Sequence, residues 1–187
     1  MCFNYLGLEI EQDSSGIKLH QSKYIHDLTL LDTKDVNSGN RNEKISSQMF
    51  ENLRSSIGEL CWVSNQTRPD ASFDVCQLSV ALNNATNKDV IYANKCMKRL
   101  KNNDLCLFFS CVGDISKASI VIFTGASFAN LADSGSQGGV IIFLLGENGL
   151  ASPLYWESKK LKRVVKSTSS AETMALLAGC EMAFLLN

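Results

Sequence analysis

Over residues 53–145, the spacing of apolar residues changes from a helical period to alternation near Leu105. Before that point, apolar residues recur three and four positions apart over residues 53–61 and 90–100, which predicts amphipathic helices. The second is expected to begin near Thr86, with Asp89 as its capping-box acid. After it, short apolar runs at 120–123 and 140–145 are rich in Val, Ile and Phe, which predicts strands. Helices and strands in separate segments are typical of the α+β class.

The two ends of the chain predict further elements. Strands over 5–10 and 17–19, joined by a turn of Asp, Ser and Gly, predict a hairpin, and the polar stretch 32–48 predicts a loop. Near the other end we expect a helix from about Ser170, with Ser169 as N-cap and Glu172 as capping-box acid. Apolar residues nearly surround this helix, so we expect it to be buried. The chain stops without a glycine C-cap, which is typical of a domain that is cut short.

Composition narrows the class of protein. The chain has 187 residues with 18 Lys and Arg against 19 Asp and Glu, which excludes a protein that coats DNA by bulk charge. Its longest apolar run, over 140–145, is far shorter than the roughly 20 residues of a membrane-spanning helix, and no cationic segment opens a signal peptide. Seven scattered cysteines without a C-x-x-C pair favour reduced thiols. We therefore expect an intracellular protein, in the cytoplasm or nucleus, with no membrane partner.

Two segments concentrate positive charge. One is the outer face of the predicted helix over 88–101, where an ordinary solvated surface is the favoured interpretation. The other lies at 155–166, where we expect strands over 153–159 and 162–166. Its cations and aromatic ring can bind nucleic acid, or they can blunt aggregation at a sheet edge, and both interpretations stay open. The candidate nucleic-acid-binding residues are Trp156, Lys159, Lys160, Lys162, Arg163 and Lys166.

Motifs in a fixed order along the chain resemble the Pol polyprotein of copia-type LTR retrotransposons, from the end of the reverse transcriptase into the RNase H domain. Any one motif is weak, but the ordered set covers essentially the whole chain and is highly specific. The first half carries FNYLGLEI at 3–10, RSSIGEL at 54–60, TRPD at 67–70 and ANKCMKRL at 93–100. The second half carries FTGASFANL at 123–131, GGVIIFL at 138–144, WESKK at 156–160 and SSAE at 169–172.

The resemblance implies a fold and a domain division. Residues 1–112 are expected to form the C-terminal region of a reverse transcriptase, with a hairpin and a helical thumb or connection region. Residues 119–187 are expected to form a truncated RNase H-like domain, with a mixed sheet and one helix. The family's activities are RNA-directed DNA synthesis and cleavage of RNA in RNA–DNA hybrids.

The resemblance also implies that catalysis is lost. RNase H chemistry uses two Mg²⁺ ions held by several carboxylates. Gly125 occupies the position of the family's first aspartate, Glu172 matches the family's glutamate, and the later aspartate is expected beyond Asn187. We therefore expect no functional metal site and no cofactor, although Glu172 can equally be kept for helix capping and Gly125 can be a glycine that the backbone requires.

Other carboxylates have ordinary interpretations. Asp133 is expected to form a turn, and Asp70 and Asp74 are expected to be first-turn acids after Pro69. The polymerase aspartates of the family lie upstream of the first strand. The leading hypothesis is a catalytically inactive remnant of a retrotransposon reverse transcriptase and RNase H protein. Its expected partner is an RNA–DNA hybrid or other nucleic acid, bound weakly and without sequence preference. The alternatives are a nucleic-acid-binding module without catalysis, or a segment of a longer active Pol polyprotein whose remainder is its partner.

Overall fold

A computed structural model describes residues 1–34, 36, 40–131 and 133–186. These residues form two compact units. The helical unit comprises 21–105, and the sheet unit comprises 1–20 together with 106–187. The domains predicted at 1–112 and 119–187 rest on the family resemblance and stay predictions. The two compact units divide the chain at other positions.

The helical unit contains four α-helices among its described residues. Two short 3₁₀ turns, Pro69–Ala71 and Leu82–Asn84, precede and follow the third helix. Residues 35 and 37–39 of the predicted loop over 32–48 lie outside the described residues. The last two residues of that loop, 47 and 48, belong to the second of the helices given next. The helices are α1 (Ser22–Asp27), α2 (Ser47–Gln66), α3 (Ser72–Ala81) and α4 (Asn87–Asn102).

Local capping explains where the two long helices begin. The Ser46 hydroxyl accepts a hydrogen bond from the Met49 amide at 3.2 Å, which caps α2. At α4, the Asp89 carboxylate accepts hydrogen bonds from the Thr86 amide at 2.8 Å and from the Thr86 hydroxyl at 2.7 Å. The capping box that the sequence predicts at this helix is therefore confirmed.

The core of the helical unit lies between apolar stripes of α2 and α4. The helical period predicted these stripes, and the structure confirms that they are buried. Full burial of a Leu, Ile, Val or Met side chain stabilises a fold by about 1.5–3 kcal/mol, so these stripes contribute substantially to the stability of the unit. The buried residues of the two stripes include Leu53, Ile57, Leu60 and Val63 on α2, and Val90, Ala93, Met97 and Leu100 on α4.

The sheet unit opens with a four-stranded antiparallel sheet in the order β1-β2-β3-β4. The predicted hairpin is present between β2 and β3, but the predicted strand over 5–10 is wrong because a tight turn interrupts it. Leu6 and Gly7 both have positive φ, at 48° and 79°, and reverse the chain between β1 and β2. The strands are β1 (Cys2–Tyr5), β2 (Leu8–Gln12), β3 (Gly16–His20) and β4 (Leu107–Ser110).

A second sheet contains β5 (Ser119–Ser127), β6 (Gln137–Leu145) and β7 (Ala151–Lys160). Both strand pairs are antiparallel, which confirms the α+β class and corrects the prediction of a mixed sheet. The connections at 128–136 and 146–150 are too short for the crossover that a parallel pair needs. The predicted strand over 162–166 is also wrong, because β7 ends at Lys160, the register partner of Gln137, and residues 162–166 are irregular.

Helix α5 (Thr168–Leu186) packs on β5 and β6 through small residues. Ala171, Ala175 and Gly179 are buried, and a Cβ on Gly179 would lie 2.7 Å from Cγ2 of Thr124. The helix therefore approaches the sheet closely along one face only. Its other face exposes large apolar side chains, so the prediction of a fully buried helix is wrong. The most exposed are Leu176, Leu177, Phe184 and Leu185.

Helix α5 is also the one helix of the described residues that is long and apolar enough to cross a membrane. A helix that packs on a sheet in a water-soluble domain passes the same test, so this observation is weak support for a membrane span. The expectation of no membrane-spanning segment stays an expectation.

Candidate functional site

Gly125, which the resemblance places at the family's first aspartate, lies near the end of β5 opposite Gly139 of β6. Its φ is not positive, and a Cβ placed on it would meet no atom within 4 Å. The backbone therefore does not require glycine here, which removes the interpretation of a conformationally required glycine. A larger side chain fits at this position.

Glu172 is an exposed residue of α5. The helix begins at Thr168, and the Ser167 hydroxyl accepts a hydrogen bond from the Ser170 amide at 3.1 Å. Ser167 rather than Ser169 is thus the capping residue, and the predicted capping box of Ser169 and Glu172 is wrong because Glu172 lies beyond the third helical position. Within the described part of the chain, the Glu172 carboxylate has no hydrogen-bond or ion-pair partner.

Asp133 is a turn residue, as the sequence predicts. One carboxylate oxygen accepts a hydrogen bond from the Gly135 amide at 3.0 Å, and the other pairs with the Lys160 ammonium group. The hydrogen bond from Lys160 and then that from Gly135 hold the pKa of Asp133 below its ordinary value. Its oxygens are therefore occupied within the protein.

Asp70 and Asp74 lie in first turns, as predicted, and each pairs with an arginine. Asp70 binds Arg68 at 2.8 Å, and Asp74 binds Arg99 at 2.6 Å. Asp74 is buried and also accepts a short hydrogen bond from the Tyr92 hydroxyl. These carboxylates stabilise the helical unit and are not placed to hold a shared metal ion.

The carboxylates of the described residues do not fit a two-metal centre. In that part of the chain, no group of three or more His, Cys, Asp or Glu side chains is arranged so that it could hold a metal ion. Of the two positions that the resemblance predicts as ligands, Glu172 has a carboxylate and Gly125 has no side-chain oxygen. Magnesium needs oxygen ligands, so the donor set does not match RNase H chemistry.

The predicted basic segment divides into paired and unpaired cations. Lys159 on β7 binds the Glu157 carboxylate at 2.7 Å, and Lys160 binds Asp133. The Tyr155 hydroxyl donates to the same Glu157 oxygen at 2.6 Å, and burial followed by this hydrogen bond raises the pKa of Tyr155. The two strand lysines are therefore partly neutralised by neighbouring acids.

Lys162, Arg163 and Lys166 lie in the irregular segment between β7 and α5. All three side chains are exposed, and no acidic side chain of the described residues lies within ion-pair distance of them. Trp156, opposite Ile141 of β6, is half-buried in β7. We name Lys162, Arg163 and Lys166 the connector cations. Within 155–166, they are the positive charges that an anionic partner can reach.

The sequence interpretation missed the pairing of Lys160 with Asp133, which are 27 residues apart. It treated 155–166 as a basic segment on two strands and considered no acid from another loop beside it. An acidic residue in the loop between two paired strands is a weak signal for such a contact, because the register must be known first.

No protein-family model matches this sequence. The chain is similar to a transposon protein. It is 28% identical over 180 residues to "Putative transposon Ty5-1 protein YCL074W" of Saccharomyces cerevisiae. The matched region covers 89% of this chain and 56% of that protein. The chain thus spans about half the length of the curated relative it matches. This similarity relates the chain to transposon proteins, while the region of Pol and the catalytic roles stay predictions.

Proposed function

We propose that this chain derives from the reverse transcriptase and RNase H part of a copia-type retrotransposon Pol polyprotein, and that it binds nucleic acid without cleaving it. The similarity to a transposon protein supports the origin. The ordered motifs from 3–10 to 169–172 support the region of Pol. The observation that carries the loss of catalysis is Gly125. This position has room for a side chain, but the glycine present supplies no metal ligand.

The loss of catalysis follows from the donor chemistry of two-metal hydrolysis. Two divalent ions must be held by several carboxylates, so that one activates water and the other stabilises the leaving oxygen. Glu172 is exposed and stands without a second family carboxylate among the described residues. One carboxylate cannot seat two such ions, so no hydrolytic step is assigned to this chain.

Binding is assigned to the connector cations, with Trp156 and the paired strand lysines nearby in sequence. Lys162, Arg163 and Lys166 can neutralise phosphates of an RNA–DNA hybrid because acids of the described chain do not compete for them. Such contacts carry no base information, so the association is sequence-independent. Three phosphate contacts predict a log–log salt dependence with a slope of about −3.

The nuclease part of the proposal is tested on an RNA–DNA hybrid with Mg²⁺ or Mn²⁺. We expect the wild-type chain to cleave no faster than Glu172→Gln, a variant that keeps the side-chain shape and removes the charge. Metal-dependent cleavage above that control would refute the loss of catalysis.

The binding part is tested by fluorescence anisotropy with a labelled RNA–DNA hybrid. Replacing all three of Lys162, Arg163 and Lys166 by Gln should weaken binding. The slope of log affinity against log salt concentration should become about 3 less negative. The charge-matched control replaces three exposed cations elsewhere, Lys18, Arg54 and Lys98, with Gln. Equal losses in both triple variants, or an affinity that does not fall with salt, would refute a localised binding segment.

A further inference from the structure

A cavity of about 400 Å³ opens beside α4 in the helical unit. Lys88 and Lys95 are seven residues apart, so they lie on one face of the helix about two turns apart, with Ile91 and Tyr92 between them. This volume falls within the range of small-ligand sites in proteins. The lining residues are Arg41, Lys88, Asp89, Ile91, Tyr92 and Lys95.

The backbone brings Arg41 to this cavity across 47 residues of sequence. The Lys88 amide donates to the Arg41 carbonyl at 2.9 Å, and the Asn87 amide donates to the Glu43 carbonyl at 3.0 Å. The Asn87 side-chain amide donates to the Asn40 carbonyl at 3.0 Å. These bonds hold residues 40–43 against the first turn of α4 and occupy amides at that end of the helix. The position of Arg41 is therefore set by the backbone and not by attraction to an acid.

The three cations of the cavity have no acidic counterpart that can neutralise them all. Arg41, Lys88 and Lys95 are exposed, and none has an ion-pair partner among the residues that the structure describes. Asp89 is the single acid in the lining, and its Oδ2 atom already accepts two hydrogen bonds from Thr86. Two net positive charges remain around one concave site, an arrangement that attracts anions.

The floor of the cavity is apolar and fixed. Ile91 and Tyr92 are half-buried, and the Tyr92 hydroxyl is held by the buried Asp74 carboxylate. This hydrogen bond anchors the Tyr92 ring beside the cavity. A ligand that combines an anionic group with a flat apolar group fits such a lining, because cations and an aromatic ring face the same space.

We propose that the cavity of Arg41, Lys88 and Lys95 is a phosphoryl-binding site, for a phosphate of a nucleotide or of a nucleic-acid backbone. Lys88 and Lys95 supply charge from the helix, and Arg41 supplies a fork of donors that matches phosphate oxygens. The site lies in the helical unit and uses none of the connector cations. The two proposals therefore concern different residues, and each can fail without the other.

The test is calorimetric titration of the full chain with inorganic tripolyphosphate at low salt. Lys88→Gln/Lys95→Gln should weaken binding about tenfold or more, since two charge-assisted contacts are lost. Arg41→Gln should weaken it by several-fold. The matched control is Arg54→Gln/Lys98→Gln, which removes two exposed cations from the same unit outside the cavity and should stay within twofold of wild type. Circular dichroism checks that each variant keeps its helices.

The absence of binding heat with tripolyphosphate would overturn the proposal, and so would equal weakening in the cavity and control variants. A second titration, in the variant that lacks the connector cations, adds a single-stranded oligonucleotide as competitor. Displacement of tripolyphosphate supports the site and assigns it to backbone phosphates. Retention of tripolyphosphate supports the site and assigns it to free phosphate compounds.

Discussion

The Arg68 guanidinium group binds both carboxylate oxygens of Asp70, with Nε–Oδ1 and Nη2–Oδ2 distances of 2.8 and 2.9 Å. The Arg68 residue is only 1% exposed, and its Nη1 atom also donates to the Leu100 carbonyl at 3.2 Å. Arg99 donates to the Asp70 carbonyl at 3.1 Å. The Thr-Arg-Pro-Asp motif therefore joins the segment after α2 to the end of α4, and its role in this chain is structural.

Removing Arg68 should strongly destabilise the helical unit. Arg68→Gln leaves the Asp70 carboxylate and the Leu100 carbonyl without their partners, which costs about 3 kcal/mol in the free energy of unfolding. Arg68→Lys should also destabilise, because a lysine cannot make the two parallel hydrogen bonds. Urea unfolding followed by circular dichroism measures both. The control Arg54→Gln, on the exposed face of α2, should change stability by less than about 0.5 kcal/mol, and an equal effect in both variants would contradict the role of Arg68.

The same ion pair predicts a dependence of stability on acid. Partial burial raises the pKa of the Asp70 carboxyl, but the hydrogen bonds and charge of Arg68 and the charge of Arg99 outweigh it and lower the pKa below its ordinary value. A lowered folded-state pKa gives stability that is present above the unfolded pKa of about 3.9 and is lost as pH falls through the folded pKa. Asp70→Asn should be less stable than wild type at neutral pH, and the difference should shrink below about pH 4.

Urea titrations of both proteins from neutral to acidic pH measure this difference. A gap between wild type and Asp70→Asn that stays constant down to the acid limit would show that the pair contributes no pH-dependent stability.

Thiol reactivity should separate buried from exposed cysteines. Burial, and then the charge of Asp74, raises the pKa of the Cys96 thiol to about 11. At pH 8, Cys96 should therefore stay unmodified by a thiol-specific disulfide reagent while Cys2, Cys106 and Cys111, which are exposed, react. Mass spectrometry of peptides from the native protein identifies the modified sites. Modification of Cys96 as fast as Cys106 would contradict its burial in the folded helical unit.

The sequence predicted those parts of the fold that depend on local periodicity. The buried stripes around Leu60 and Val90 follow from helical spacing, and the α4 capping box follows from two residues three positions apart. The turn at Leu6 and Gly7 was missed because Tyr, Leu, Gly and Leu read as one apolar strand, and a non-glycine residue with positive φ gives no sequence signal.

Features of the candidate site that depend on tertiary placement could not be predicted. The sequence identified Lys160 as a cation but not its pairing with Asp133 on a loop 27 residues away. Arg41 lies in a polar loop without periodicity, and only the backbone bonds to α4 bring it to Lys88. Glu172 was assigned to a capping box because the helix start was placed two residues late, a shift within the usual uncertainty of helix ends.

Restoring the family's first carboxylate should leave the fold intact. Gly125 has ordinary φ, and a Cβ on it meets no atom within 4 Å, so an aspartate fits without a clash. Aspartate is a poor strand former, and glycine is poor as well, so Gly125→Asp should change stability by about 1 kcal/mol or less. Thermal unfolding compared with Gly125→Asn, which has the same shape without the charge, measures this. A much larger loss in both variants would show that the position is crowded.

Gly125→Asp should nevertheless fail to restore nuclease activity. The variant adds one carboxylate to Glu172, whereas two divalent ions that activate water and stabilise a leaving oxygen need a larger set of oxygen ligands. We expect no Mn²⁺-dependent cleavage of an RNA–DNA hybrid above the rate of Gly125→Asn. Cleavage by Gly125→Asp that disappears in Gly125→Asp/Glu172→Gln would show that two carboxylates suffice. The proposed loss of catalysis would then reduce to the single substitution at Gly125.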